Sequence, residues 1–195
     1  MIKIIPPAQF TTSLWKNGQG KTTELAISEH SSIDNFNWRL SIATISNDGL
    51  FSKFIGYNRQ HVVLSGNGIL LKHQNLAKKK SEDRLPQLLN FASFSGDNTT
   101  FGELINGPIT AFNLMYKPTF MHCELQTYPK QETIMLNGED QYFIYSDTED
   151  ITLSNINNNE SQLISKQHLI KITDSRLNHY DVSGKQMIII RISIN

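Results

Sequence analysis

An all-β fold is the class this sequence predicts, and three observations lead there. The apolar residues fall in short runs of four to eight, rich in Ile, Val, Thr and aromatics, with no long stripe of helical period. Turn-forming residues separate those runs at intervals of about 8–12 residues, the spacing of a sandwich or barrel. Strict alternation in Trp38-Arg39-Leu40-Ser41-Ile42-Ala43-Thr44-Ile45-Ser46 gives a strand with one face on a core.

In chain order, Pro6–Phe10 predicts a single helical turn, with proline at its start. The glycines of Trp15-Lys16-Asn17-Gly18-Gln19-Gly20 shape a turn that leads into a strand over Glu24–Ser28. Trp38–Ser46 follows, with Trp38, Leu40 and Ile42 on one face and Arg39, Ser41 and Ala43 on the other. Gly66-Asn67-Gly68 between His61–Ser65 and Ile69–His73 reads as a tight hairpin, and Asn137-Gly138 between Thr133–Leu136 and Gln141–Tyr145 reads as a second. Ser183-Gly184-Lys185 before Gln186–Ile192 reads as a third. Strands are also expected at Thr110–Tyr116, His168–Ile172 and Met187–Ile194. The charged stretch Lys78–Arg84 reads as a solvated loop, and the Asn-rich stretch 155–161 as a hairpin tip. Weak segmentation around residues 105–118 suggests two β-rich lobes, 1–111 and 112–195. With no Pro/Gly/Ser-rich linker between them, they are expected to pack as one continuous body.

The chain has 195 residues, 18 of them basic and 18 acidic, and 38% are hydrophobic. That composition suits a folded protein with a real core. A formal net charge of zero lacks the basic footprint of a nucleic-acid binder. No apolar run reaches membrane-spanning length, and the opening residues Met1–Pro7 show no signal-peptide core, so no membrane partner and a cytoplasmic location are expected. Cys123 is the only cysteine, which excludes a disulfide framework and a thiolate zinc site.

The chemistry-bearing groups are few. The glycine loop lacks phosphate-loop spacing but offers Trp15, Lys16, Asn17 and Glu24 as a small polar site. Arg39 and Arg59 are two of only five arginines. Arg39 lies mid-strand, where a guanidinium either forks onto a ligand carboxylate or pairs with Glu24 or Asp48. The six histidines form no metal-binding pair, and His122 and Glu124 alone do not make a site. Cys123 and His122 point to opposite faces of a strand and cannot act as nucleophile and base. Neither metal nor cofactor is expected.

The chain resembles the HutD/Ves family. The resemblance rests on Trp15-Lys16-Asn17-Gly18-x-Gly20, Phe36-x-Trp38-Arg39-Leu40-Ser41-Ile42-Ala43, Asp48-Gly49-x-Phe51-Ser52-x-Phe54-x-Gly56, Arg59, Leu64–Gly68, Phe94-Ser95-Gly96-Asp97, Gly107-Pro108 and Phe112-Asn113-Leu114-Met115. It implies a two-lobed cupin with jelly-roll-like halves, linked to histidine utilisation through HutD members and to environmental stress through Ves members. It further implies a small carboxylate of histidine breakdown, such as N-formylglutamate, as ligand. Two departures remove acidic groups: Asn58 precedes Arg59 where the family usually has Asp, and Ala111 stands where Asp is usual. Asn58 is left to orient Arg59 without charge.

The function expected is therefore a non-catalytic or regulatory binder of a small anionic metabolite. Its site is expected around Trp15, Lys16, Asn17, Glu24, Arg39, Arg59 and Asn113, with Arg39 foremost. A metal-free enzyme using Glu24 as general base and a structural module with a vestigial pocket are the alternatives. Exposed strand edges favour a homodimer.

Overall fold

The computed structural model describes residues 1–15, 20–136, 140–173 and 179–194. Its strands are β1 (Ile2–Ile5), β2 (Thr11–Leu14), β3 (Gly20–Ile27), β4 (Trp38–Ile45), β5 (Gly49–Leu50), β6 (Asn58–Ser65), β7 (Ile69–Gln74), β8 (Lys80–Leu85), β9 (Phe91–Ser95), β10 (Thr99–Leu104) and β11 (Ile109–Tyr116). They continue with β12 (Met121–Tyr128), β13 (Glu132–Leu136), β14 (Gln141–Ser146), β15 (Ile151–Asn155), β16 (Glu160–Ile164), β17 (Leu169–Ile172), β18 (Tyr180–Gly184) and β19 (Met187–Ile194). The expected helical turn is a 3-10 turn at Pro7–Gln9.

The chain divides into two units, Phe10–Phe120 and Met1–Gln9 with Met121–Asn195. The boundary expected at 111/112 falls inside β11, a strand central to its sheet. The first residues join the second unit because β1 pairs antiparallel with β17, Ile4 opposite Ile170.

In the unit Phe10–Phe120, a six-stranded sheet runs β2-β3-β4-β11-β6-β9 and a four-stranded sheet runs β5-β10-β7-β8. Ala43, Ile45, Val63, Ala92, Ile109 and Ala111 of the first meet Ile69, Leu71 and Leu85 of the second in a buried cluster. In the other unit, the sheets run β1-β17-β14-β19-β12 and β13-β18-β15-β16. Tyr142, Ile144, Ile170, Ile172, Met187 and Ile189 pack there on Ile151, Leu153, Ile164 and Val182. Both units are two-sheet antiparallel structures, as the period-two patterning requires.

Three expected hairpins are sheet-crossing corners instead. β6 pairs with β11 and β9, whereas β7 pairs with β10 and β8. The turns after β13 and β18 likewise lead from one sheet to the other. A corner and a hairpin demand the same positive-φ residues, so the local sequence does not separate them. Residues 137–139 of the second turn lie outside the described residues. The Asn-rich segment does cap a true hairpin, β15 with β16. The charged stretch expected as loop is largely strand β8, an edge strand with exposed Lys80, Ser81 and Glu82, where charge guards against edge-to-edge pairing.

The corner at Gly66-Asn67-Gly68 depends on glycine. Gly68 has φ +96°, and a Cβ there would sit 2.1 Å from the Leu85 carbonyl oxygen. Gly68→Ala should cost about 1–3 kcal/mol in denaturant unfolding. Gly49→Ala, with nothing within 4 Å of the added carbon, should leave stability unchanged or slightly raised.

Candidate functional site

Strand register brings the expected arginines onto the inner face of the six-stranded sheet. Arg39, Ser41, Ala43 and Ile45 alternate along β4, and Ala43 and Ile45 belong to the inter-sheet core. Trp38, Leu40 and Ile42 therefore take the opposite face, and Arg39 points inward. Across the sheet Arg39 lies opposite Met115, and Met115 opposite Arg59, which pairs with Phe94. The adjacent row is Glu24, Ser41, Asn113 and His61. A third row, Thr22, Ala43, Ala111 and Val63, begins the apolar core. The inner face is thus polar toward one end and apolar toward the other.

The two arginines are treated differently. Arg39 Nε donates to Glu24 Oε2 at 2.9 Å, with the side chains 8% and 29% exposed. Of the two structural partners considered for Arg39, Glu24 is the one found; Asp48 instead accepts from the Leu104 amide. Arg59 is also buried, yet no carboxylate lies within 4.0 Å of it among the described residues. Its Nη1 donates to the Ser52 carbonyl at 3.0 Å, and its Nε has no partner. The rings of Phe94, Phe51 and Phe54 surround the guanidinium, with centroids 5.2, 5.3 and 5.7 Å from Cζ. Burial lowers its pKa to about 10, so it remains charged at neutral pH.

Asn113 and His61 form a buried pair. His61 Nδ1 lies 2.9 Å from Asn113 Oδ1, and Asn113 Nδ2 donates to the Ala111 carbonyl at 3.2 Å. His61 Nε2 is buried without a partner. Burial lowers the His61 pKa to about 4, and nearby Arg59 pushes the same way against the Asn113 bond.

Trp15 packs against the core cluster and donates its indole N–H to Thr22 Oγ1 at 2.8 Å. Lys16 and Asn17 lie outside the described residues. Asn58 does not orient Arg59: its side chain takes the other face of β6, with Nδ2 3.4 Å from the Tyr116 hydroxyl. Ala111 brings no acid to the inner face. The residues missed in the sequence are His61, Phe51, Phe54 and Phe94. Parity along Arg59-x-His61-x-Val63 was the available signal for His61.

A depression of about 240 Å³ is lined by Asn58, Arg59, Gln60, Ser93, Phe94, Ser95 and Tyr116. Asn58, Gln60, Ser93, Ser95 and Tyr116 alternate with the inward Arg59 and Phe94, so the depression opens on the opposite face of the sheet from the guanidinium. Of the expected residues it includes only Arg59. In the other unit, a second of about 240 Å³ contains Glu124, Gln126, Tyr128, Tyr142 and Arg191. Its polar groups have partners: Gln126 Nε2 donates to Glu124, and Arg191 Nε donates to Asp140, which lies outside the lining, at 2.6 Å. Cys123 is buried and free, its thiol pushed up to about 12 by burial.

Two units, each of two antiparallel sheets, with a polar row on the inner face of the Phe10–Phe120 unit, match the architecture of a two-lobed cupin-like protein. The chain belongs to the HutD family, whose sequence profile matches residues 7–190. It is 39% identical over 114 residues to an uncharacterised 21.2 kDa protein of the hutC 3′ region of Pseudomonas putida, covering 58% of this chain and 57% of that protein. It is 36% identical over 104 residues to protein Ves of Escherichia fergusonii, covering 53% and 51%. The matches thus span little more than half the length of these curated relatives. Among solved structures, HutD from Pseudomonas fluorescens superposes with TM-score 0.79 at 24% identity, covering 100% of both chains. A conserved protein of unknown function from Pseudomonas aeruginosa gives TM-score 0.84 at 24% identity, covering 99% of both.

Titration of His61 has a stability consequence. Its unfolded pKa is near 6.5 and its folded pKa about 4, so above pH 6.5 both states are neutral. As pH falls from 6.5 toward 4 the unfolded chain binds the extra proton, and stability drops by about 3 kcal/mol. His73, also lowered by burial, adds in the same direction. Denaturant unfolding across pH 4–8 should show this decline, and His61→Gln should flatten it.

Proposed function

We propose that the chain is a non-catalytic, regulatory binder of a small carboxylate of the N-formylglutamate kind, acting in histidine utilisation. The observation that carries this reading is Arg59: a buried guanidinium with a free Nε and no carboxylate partner among the described residues. A charge in such a place needs a counter-ion, and a planar fork matches a carboxylate. Arg39, tied to Glu24, supports the site rather than leading it. Glu24 is occupied by that ion pair, which weighs against its use as a general base. The hutC-region relative and the HutD structural neighbour support the metabolic setting. A cytoplasmic homodimer belongs to the same proposal.

One observation favours a second reading, a vestigial pocket. Phe51, Phe54 and Phe94 already surround Arg59, and cation–π contact alone stabilises a desolvated guanidinium by about 2 kcal/mol.

Calorimetric titration with N-formylglutamate, glutamate, urocanate and formate separates the two. At least one carboxylate should bind below about 1 mM, near −4 kcal/mol. Arg59→Ala should weaken it by about 1.5–3 kcal/mol, and Arg59→Lys should restore only part, since an ammonium lacks the fork. Unchanged affinity in a folded Arg59→Ala variant rejects the assignment.

A further inference from the structure

We infer that His61 Nε2 is a fixed hydrogen-bond acceptor, and that the ligand must bring an N–H or O–H donor to it as well as a carboxylate to Arg59. The inference rests on the carboxylate reading above and narrows its chemical class. It begins with Asn113. Its amide nitrogen donates to the Ala111 carbonyl, a group that only accepts, so the amide orientation is set. Its Oδ1 then faces His61 Nδ1 at 2.9 Å. An amide oxygen cannot donate, so Nδ1 carries the proton. In a neutral imidazole the other nitrogen is then a bare lone pair. The ring stays neutral at physiological pH because burial holds its pKa near 4.

That lone pair is unsatisfied. His61 is 1% exposed, and Nε2 has no partner in the structure. An orphaned buried acceptor is destabilising, and Arg59 Nε is an orphaned donor on the same strand face. Two residues of strand separate the two positions by about 7 Å, within the span of one small molecule. Phe51 reaches both side chains, its ring 5.5 Å from the His61 ring and 5.3 Å from Arg59 Cζ. One site thus presents a cation and an acceptor together. It fits a carboxylate bearing a hydroxyl or an N–H, and it disfavours a bare dicarboxylate, which has no donor to offer Nε2.

The test compares 2-hydroxyglutarate and N-formylglutamate with glutarate, which keeps the carboxylates but lacks the donor. With the wild-type protein, the better donor-bearing ligand should bind at least tenfold more tightly than glutarate. In His61→Phe that preference should fall to within twofold. Equal binding of all three, lost in Arg59→Ala, overturns the inference and leaves the carboxylate reading standing. Binding of none overturns both. A variant-free check guards against misfolding of His61→Phe. Long-range proton–nitrogen correlation of the wild-type histidines should show His61 protonated on Nδ1 and bare on Nε2. The opposite tautomer overturns the inference.

Discussion

Desolvation of charge on the inner face of the six-stranded sheet is the constraint from which the site follows. A guanidinium placed between two packed sheets loses its water and must be compensated. Arg39 meets that demand inside the chain, through Glu24 two strand positions away in register space. Arg59, two strands across, meets it only in part, through one carbonyl and three aromatic faces. Two arginines on one sheet face thus differ: one has a carboxylate partner and the other has none among the described residues.

The neighbouring row extends the same logic to neutral groups. Asn113 spends both ends of its amide, one on a backbone carbonyl and one on His61. That arrangement fixes the imidazole tautomer without introducing charge, and it leaves one acceptor beside one donor. The apolar row beyond, Ala43, Ala111 and Val63, closes the polar region from the core. Alanine at 111 and asparagine at 58 remove the acids that resemblance to the family would supply. Position 58 lies on the other face of β6, beside Tyr116, so its change does not reach the Arg59 guanidinium.

Sequence patterning reached the strand class because period-two alternation is local and strong, as in Trp38–Ser46. It singled out Arg39 as a charge in mid-strand, Arg59 as one of five arginines, and Asn113 within the motif that carries the family resemblance. It did not reach sheet membership. Gly66-Asn67-Gly68 serves a corner between sheets as well as it serves a hairpin, and only long-range pairing decides which. The Trp38, Leu40 and Ile42 face of β4 is the more hydrophobic in sequence, yet both faces are buried, so the direction of Arg39 had to come from the core packing of Ala43 and Ile45. β8 was hidden because an edge strand carries the charges of a loop. His61 was weighed only as a metal ligand; its role emerges from its register with Asn113, fifty-two residues away.

The stability of Arg59→Met in the unliganded protein tests the central claim most directly. Methionine keeps the contact with the three phenylalanines and removes the buried charge. If Arg59 waits for an external carboxylate, denaturant unfolding should show the variant within about 1 kcal/mol of the wild type or more stable, because an uncompensated buried charge is a cost. A loss of about 3 kcal/mol or more, the scale of breaking a satisfied buried ion contact, would mean that the aromatic cage and the Ser52 carbonyl already satisfy the guanidinium, and that Arg59 holds the fold rather than a ligand.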